Sequence, residues 1–332
     1  MYKATKMLFA LLLMLALTGC KKGMNSDEIY EKCSSGVVFI INYFYYSVTL
    51  PNGAEMYFTG ISDNGELEGF TFDEDKAIKN SSGASGTGFF ISNDGLLLTN
   101  RHVAAPEVPP TVVKGFLKSF KRYLKESYRE DLSNLQKMFY QYEGDIATQQ
   151  RIAQKYKSTN ESLEAIDDMD MNDADIEVHS DISIVYNNSF ITKREDLHDC
   201  HTVAVSDDEA VDLAIIQLAD MTTPADAYIF PMCENNELTM DDKLFMIGYN
   251  MGLSVSKTEH GIRSQCYSGY MTQKSDGVNI LYSIPSQHGS SGSPVVNEYG
   301  EVVAVNFAGI DRTQSFNYGI PLKKVKQFLK DN

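Results

Sequence analysis

The chain has 332 residues, enough for one large domain or two of medium size with an ample core. Its formal charge of −16 sets nucleic acid and anionic lipid headgroups aside as main partners, because both repel an acidic surface. Hydrophobic and aromatic content are those of an ordinary globular protein, although tryptophan is absent.

The chain opens on a targeting segment. Lys3 and Lys6 form a basic start, and Met7 to Leu17 form an apolar run shorter than the ~20 residues that a membrane span requires. The run ends in Leu17-Thr18-Gly19-Cys20, which resembles the lipobox of bacterial lipoproteins; a plain secretory signal is the alternative. The expected organisation is a signal peptide over 1–19, a tether over 20–26 carrying lipid on Cys20, and a folded part over 27–332. At ~3.5 Å per residue such a tether holds the folded part within ~20 Å of the membrane. Cys33, Cys200, Cys233 and Cys266 then remain, either as two disulfides in any of three pairings or as buried thiols.

Asp27 to Lys32 predicts a short helix, and the β-branched and aromatic run Val37 to Val48 predicts a strand. Pro51-Asn52-Gly53 turns it. Tyr57 to Thr59 and Gly69 to Phe72 are further strand candidates, and Ser81 to Gly86 reads as a flexible loop. Thr87 to Ser92 and Leu96 to Thr99 form a hairpin across Asn93-Asp94-Gly95. The hairpin runs into Thr99-Asn100-Arg101-His102-Val103, which places His102 at the end of an apolar strand, where a side chain can be aimed into a cleft.

Pro106, Pro109 and Pro110 end that pattern. From Thr111 to about Tyr142 apolar residues recur at helical spacing, with a break expected near Ser127 to Asp131, and a second helical piece runs from Ile146 to Tyr156. The first turns are basic and the segment from Glu161 through Asp181 is acidic, which reads as a helical hairpin with complementary charged faces. Asp168-Met169-Asp170-Met171-Asn172 begins like a calcium loop. It has Asp173 where glycine is required and His179 where glutamate is expected, so no calcium site is read there. His198-Asp199-Cys200-His201 has no second cluster to complete four ligands, so no zinc and no other metal or cofactor is expected.

Strand pattern returns at Ile182 to Tyr186, at Thr202 to Val205 and in Val211 to Ile216, where Asp212 opens a continuous apolar run. A carboxylate at such an edge is partly buried and needs a donor. Strands follow at Leu244 to Ile247, Gly261 to Tyr267, Tyr270 to Gln273, Asn279 to Ile284, Val302 to Phe307 and Asn317 to Ile320, then an amphipathic helix from Pro321 to Leu329. Between them lies Gln287-His288-Gly289-Ser290-Ser291-Gly292-Ser293-Pro294. A loop this rich in glycine and serine can turn backbone N–H groups toward one spot, so that a serine held there has its oxyanion site beside it. With His102 and Asp212 upstream, Ser291 becomes the candidate nucleophile, His102 the base and Asp212 its orienting carboxylate, with the N–H groups of Gly289 and Ser291 as the oxyanion hole.

The order His, Asp, Ser is that of chymotrypsin. Ser85-Gly86-Thr87-Gly88-Phe89-Phe90-Ile91, Leu98-Thr99-Asn100-Arg101-His102-Val103, Asp212-Leu213-Ala214-Ile215-Ile216 and Gly289-Ser290-Ser291-Gly292-Ser293-Pro294-Val295 together resemble trypsin-like serine proteases of the HtrA/Deg and glutamyl-endopeptidase type. The resemblance covers most of the chain outside roughly 106–175. It implies an all-β chymotrypsin-like fold of two six-stranded antiparallel β-barrels, with the site in the cleft between them. The helical and acidic stretch of about 106–175 becomes an insertion between His102 and Asp212, and a helix closes the chain. The implied activity is serine endopeptidase, acting on proteins or peptides without a cofactor, on a lipid anchor in a bacterial cell envelope and without a PDZ domain. His288, Asn306, Phe307 and Ala308 are the candidates for the substrate pocket. Ser290 replaces the aspartate that in trypsin pairs with a newly cut N-terminus, so activation by that ion pair is not expected. Asn306 stands where glutamyl endopeptidases carry a histidine that recognises an acidic side chain. Two other readings stay open. One is an inactive protease fold that holds a partner protein through the helical insertion, and the other is an esterase on the same residues.

Overall fold

The computed structural model describes residues 22–208, 210–234, 238–273, 275, 277–309 and 317–332. The targeting segment expected over 1–19, and Cys20, lie outside the described residues.

The first helix, α1 (Ser26–Cys33), starts on a capping box in which Asn25 Oδ1 accepts from the N–H of Glu28 and the Glu28 carboxylate accepts from the N–H of Asn25. Strand β1 (Val37–Thr49) follows, with its neighbour β2 (Glu55–Phe58), a short hairpin of β3 (Gly60–Ile61) and β4 (Leu67–Glu68), and helix α2 (Glu74–Lys79). Next come β5 (Ser82–Phe90), β6 (Leu96–Thr99) and the one-turn helix α3 (Arg101–Ala104). Two long helices, α4 (Pro110–Gln141) and α5 (Ile146–Asp168), separate these from β7 (Asp175–Tyr186), β8 (His198–Val205) and β9 (Ala214–Leu218). The second half holds β10 (Lys243–Gly248), helix α6 (Leu253–Ser256), the pair β11 (Lys257–Thr258) and β12 (Gly261–Ile262), then β13 (Gln265–Gln273) and β14 (Ile280–Tyr282). Strands β15 (Pro294–Val296), β16 (Val302–Gly309) and β17 (Asn317–Pro321) lead to the terminal helix α7 (Leu322–Asp331).

Strand pairing closes two rings. The first runs β1-β5-β6-β9-β8-β7, and β7 returns to β1 in antiparallel register from Val38↔Tyr186 to Thr49↔Asp175. The second runs β10-β13-β14-β17-β16-β15 and closes between β15 and β10 at Phe245↔Val296. The fold is therefore two closed six-stranded antiparallel barrels, as the resemblance implied.

Side chains alternate across a strand, so a strand that is apolar at every position must bury both faces. Several strands of the first barrel do this. Val38, Ile40, Phe90, Leu97, Ala214 and Ile216 fill the barrel interior. Their neighbours Val37, Phe39, Phe89, Leu98 and Ile215 join the core that continues into the second barrel with Phe245, Ile247 and Tyr249. Helices α1 and α7 seal that larger core with Ile29, Cys33, Leu322, Val325 and Phe328.

Strand β1 outruns its barrel, and its far half builds a third core. Tyr46 and Val48 pack there with Met56 and Phe58 of β2, Val113 and Leu117 of α4, and Met169 and Met171. Tyr46 stacks on Phe58 at 4.8 Å between ring centroids, and Phe70 meets Phe116 at 5.3 Å and Phe120 at 5.7 Å. Beyond Phe120 the α4–α5 hairpin leaves this core. At ~1.5 Å per residue α4 is roughly 48 Å long. Tyr123, Met138, Tyr140, Tyr142, Ile146 and Tyr156 along the hairpin are exposed. Lys121 Nζ donates to the carbonyls of Asp167 and Met169, and Lys125 pairs with Asp167, so the basic start of α4 does meet the acidic end of α5.

The structure departs from the sequence reading at several elements. Ser82 to Gly86 is strand and not flexible loop, because β1 pairs it along its length down to Phe44↔Ser82. Helix α4 passes unbroken through Ser127 to Asp131, and α5 runs on to Asp168. Strand β7 begins at Asp175, inside the acidic segment, since β1 offers it a partner that far. Strand β13 joins the end of the strand expected at Gly261 to Tyr267 to that expected at Tyr270 to Gln273, while Gly261–Ile262 forms the separate β12. Asp170 caps a single 3-10 turn through the N–H of Asn172, and among the described residues no group of His, Cys, Asp or Glu converges as a metal site. Among the described residues no helix is long and apolar enough to cross a membrane. Cys33, Cys200 and Cys266 are free thiols.

Burial pushes the Cys33 and Cys200 thiols up to about 12 and the Cys266 thiol up to about 11, so all three stay protonated at pH 8. Iodoacetamide at that pH should therefore label the native protein at these positions far more slowly than the urea-unfolded protein, as read by intact mass. Leu117→Ala should destabilise the protein by about 2–5 kcal/mol, because it empties the seat of α4 in the third core. Urea denaturation measures this, and a loss below about 1 kcal/mol would mean that the hairpin is not seated there.

Candidate active site

His102 is the second residue of α3, a helix of one turn that follows β6. Two buried asparagines hold this turn. Asn42 lies in the interior of the first barrel, and its Nδ2 donates to the carbonyls of Val103 at 2.9 Å and Ala104 at 3.1 Å. Those carbonyls have no partner within so short a helix, so Asn42 satisfies its C-terminal end. Asn100 precedes the turn, and its Nδ2 donates to the Asp212 carbonyl at 2.7 Å.

Asp212 lies in the loop just before β9 and not within the strand. A tight bend, with the Leu213 N–H donating to the Val211 carbonyl at 2.9 Å, turns its side chain toward α3. Its Oδ1 accepts from the His102 backbone N–H at 3.0 Å, and its Oδ2 lies 2.6 Å from His102 Nδ1. A carboxylate can only accept, so the proton between them belongs to Nδ1. The neutral imidazole then presents Nε2 with its lone pair free. The Asp212 side chain is 19% exposed and that of His102 49%, so the ring leans from a shielded carboxylate into open space.

Ser291 lies in the loop before β15, close to α3. Gly86 of β5 fills the space between. A Cβ there would stand 2.6 Å from Val103 Cγ2 and 3.0 Å from the Ser291 carbonyl oxygen. The serine loop is thus separated from the helix of His102 by one glycine's width. Among the described residues no hydrogen bond joins Ser291 Oγ to the imidazole; such contacts are commonly long in ligand-free enzymes and shorten on substrate.

The loop is tied across the two barrels by Thr87 of β5. Its backbone N–H donates to the Ser291 carbonyl at 2.8 Å, and its hydroxyl donates to the Gly289 carbonyl at 2.8 Å while accepting from the Tyr249 N–H at 3.1 Å. Thr99 Oγ1 in turn donates to the Thr87 carbonyl at 2.8 Å. Gly289 and Gly292 adopt φ of +93° and +84°. A side chain at Gly289 would meet the Tyr249 carbonyl at 2.4 Å, and one at Gly292 the Thr87 carbonyl at 2.2 Å. Both positions therefore need glycine for conformation and for space. Within the loop the N–H groups of Ser290, Gly292 and Ser293 donate to the carbonyls of Gln287, Asn306 and Ser290. Among the described residues the N–H groups of Gly289 and Ser291 have no protein acceptor.

Residues 164–305 match the family model of the trypsin-like peptidase domain. The matched stretch holds Asp212 and Ser291, and His102 stands before it, beyond the helical hairpin. No curated protein matches the chain. Among solved structures, the serine endoprotease from Yersinia pestis is similar at a TM-score of 0.46 and 12% identity, over 94% of this chain and 67% of that one.

The candidate pocket residues have separate fates. His288 is exposed beside the loop. Phe307 is half-buried and its ring lies 6.3 Å from that of Tyr318. The side chain of Ala308 lies outside the described set. Asn306 is 1% exposed, and its carboxamide is spent on the underside of the serine loop. It stands on β16, and its Nδ2 is taken up by Ser286 Oγ at 3.0 Å and Ser290 Oγ at 3.2 Å.

The sequence reading missed Asn42 and Thr87. Each is a polar residue inside an apolar strand, and a buried polar group must have a partner. That was the available signal.

Gly292→Ala should cost more than about 1 kcal/mol in thermal melts and bring down any hydrolytic activity with it, since both conformation and space exclude the methyl group. A variant with wild-type melting and wild-type activity would show that the loop has room that its contacts deny.

Proposed function

We propose that this chain is a serine endopeptidase that works through Ser291, His102 and Asp212. The observation that carries the reading is the bond between His102 Nδ1 and Asp212, which leaves Nε2 as a free base, beside a neighbouring serine loop with two unclaimed N–H donors.

In this mechanism His102 Nε2 takes the Ser291 hydroxyl proton as Oγ attacks the scissile carbonyl carbon. The imidazolium so formed is stabilised by Asp212, which also keeps the ring from turning. The carbonyl oxygen becomes an oxyanion and is held by the N–H groups of Gly289 and Ser291; each such donor is typically worth about 10²- to 10³-fold in rate. His102 then protonates the leaving amine, and water, activated by the same imidazole, releases the acyl group from Ser291. Cys20, once lipidated, would place this activity at a bacterial membrane within the cell envelope, on protein or peptide substrates. A second reading has an observation of its own. The exposed tyrosines, methionine and isoleucine along the distal hairpin suit a protein partner, so the insertion would select or hold what the cleft receives.

The protein should hydrolyse casein or quenched-fluorescent peptides, and Ser291→Ala or His102→Ala should lower kcat/KM by about 10⁴-fold or more. A fluorophosphonate probe at neutral pH should add one equivalent to the wild-type protein and none to Ser291→Ala. A wild-type protein left unlabelled would overturn the endopeptidase reading. In cells, incorporation of labelled palmitate should vanish with Cys20→Ala.

A further inference from the structure

We infer that Asn306 is a positioning residue: its carboxamide fixes the plane of the Ser290–Ser291 peptide and so points the Ser291 N–H into the cleft. The inference rests on the endopeptidase reading above and goes on to say what builds its oxyanion hole.

The argument starts from the peptide bond. In a trans peptide the C=O and the following N–H point in opposite directions. The Ser291 N–H belongs to the same plane as the Ser290 carbonyl. Whatever grips that carbonyl from inside the protein therefore turns the N–H outward. Asn306 Nδ2 donates to the Ser290 carbonyl at 2.9 Å, from a side chain that is 1% exposed. The Ser293 N–H donates to the same oxygen at 3.0 Å. Two donors on one carbonyl define its direction better than one, because each alone leaves the plane free to rock about its bond.

The orientation of the carboxamide follows from its surroundings. A carbonyl oxygen can only accept, so the amide nitrogen must face Ser290. On the other side Tyr282 donates its hydroxyl to Asn306 Oδ1 at 2.7 Å. Burial pushes the Tyr282 hydroxyl well above its usual range, so it keeps the proton it donates. The second amide hydrogen goes to Ser286 Oγ at 3.0 Å. Ser286 Oγ lies 2.9 Å from Ser290 Oγ, and Ser290 donates its own hydroxyl to the Gln287 carbonyl at 2.6 Å. The Tyr282 hydroxyl also reaches the Tyr318 carbonyl at 3.1 Å, but Asn306 Oδ1 at 2.7 Å is its nearer acceptor. The backbone of Asn306 adds to the grip, since its carbonyl accepts from the Gly292 N–H at 2.8 Å and its N–H donates to Ser293 at 2.9 Å. The residue after the nucleophile and the peptide before it are thus held by one side chain and its backbone. No ion pair takes part, because Ser290, Ser286, Asn306 and Tyr282 are all neutral.

The test compares Asn306→Asp and Asn306→Ala with Tyr282→Phe in the full chain. Asn306→Asp keeps the size and the acceptor for Tyr282 but loses the donor to Ser290. Kinetics on a quenched-fluorescent peptide are paired with inhibition by a peptide aldehyde and by the alcohol of the same sequence. The aldehyde forms an oxyanion on Ser291 and the alcohol does not. Asn306→Asp and Asn306→Ala should lower kcat about 10- to 100-fold with KM within threefold, since one of two donors is misaimed and not removed. Aldehyde affinity should fall in parallel, while alcohol affinity holds. Tyr282→Phe, which frees the carboxamide to turn, should lower kcat about 3- to 10-fold in the same pattern. If the Asn306 variants melt far below the wild type, Tyr282→Phe decides alone by the same split between aldehyde and alcohol. Unchanged kcat and aldehyde affinity in an active wild-type background would overturn the inference, as would equal losses for aldehyde and alcohol. A wild-type protein that neither hydrolyses peptide nor takes up fluorophosphonate would instead overturn the endopeptidase reading, and this inference with it.

Discussion

One buried threonine joins the halves of this molecule where it matters. Thr87 belongs to the first barrel, yet three of its bonds end on the second, at Ser291, Gly289 and Tyr249. Its fourth, from Thr99, returns to the strand that leads into His102. The wall carrying the histidine and the loop carrying the serine therefore share a common anchor. Glycines at 86, 289 and 292 are what let backbone come that close to backbone. The barrels could drift relative to each other only by breaking these bonds in a dry interior, where a lost partner costs about 1–3 kcal/mol each.

The same economy governs the histidine. Asn42 and Asp212 approach α3 from distant parts of the chain, and Asn100 at its start ties Asp212 back to it, so the ring has few ways to move. The Asp212 carboxylate is used twice, on the backbone and on the ring of His102, so position and tautomer are set by one group.

Much of this was legible beforehand. The Gly-Ser loop, the histidine after an apolar hairpin and the aspartate opening an apolar run are local signals, and the structure places Asp212 and His102 in contact. The pairing of Ser82 to Gly86 with β1 was not legible, because a run of glycine and serine has no strand preference of its own and is made a strand by its partner. Asn306 was legible as a residue near the site but not in its role. Its position along β16 was visible, whereas the direction of its side chain depends on Tyr282 and Ser286, which arrive from elsewhere in the barrel. The two long helices were visible by period, but their lengths were not. Charged and polar faces give a weak pattern, and helix-to-helix packing carried both helices past the points where the pattern faded.

The helical hairpin also bears on how the first barrel comes to close. Strand β1 must find β7 across the whole insertion, a distant pairing of the kind that slows folding. A flexible loop of that length would have to be caught end to end by chance. Antiparallel helices form locally and quickly, and they return the chain to where it left. Lys114 donating to Asn172 and Lys121 donating to Met169 fasten the departing and returning segments together at the mouth of the insertion. For β1 the effective distance to β7 is then shortened by the length of the hairpin, with β2 to β6 still between them, and that part of the closure entropy is spent within the hairpin and not at the barrel seam.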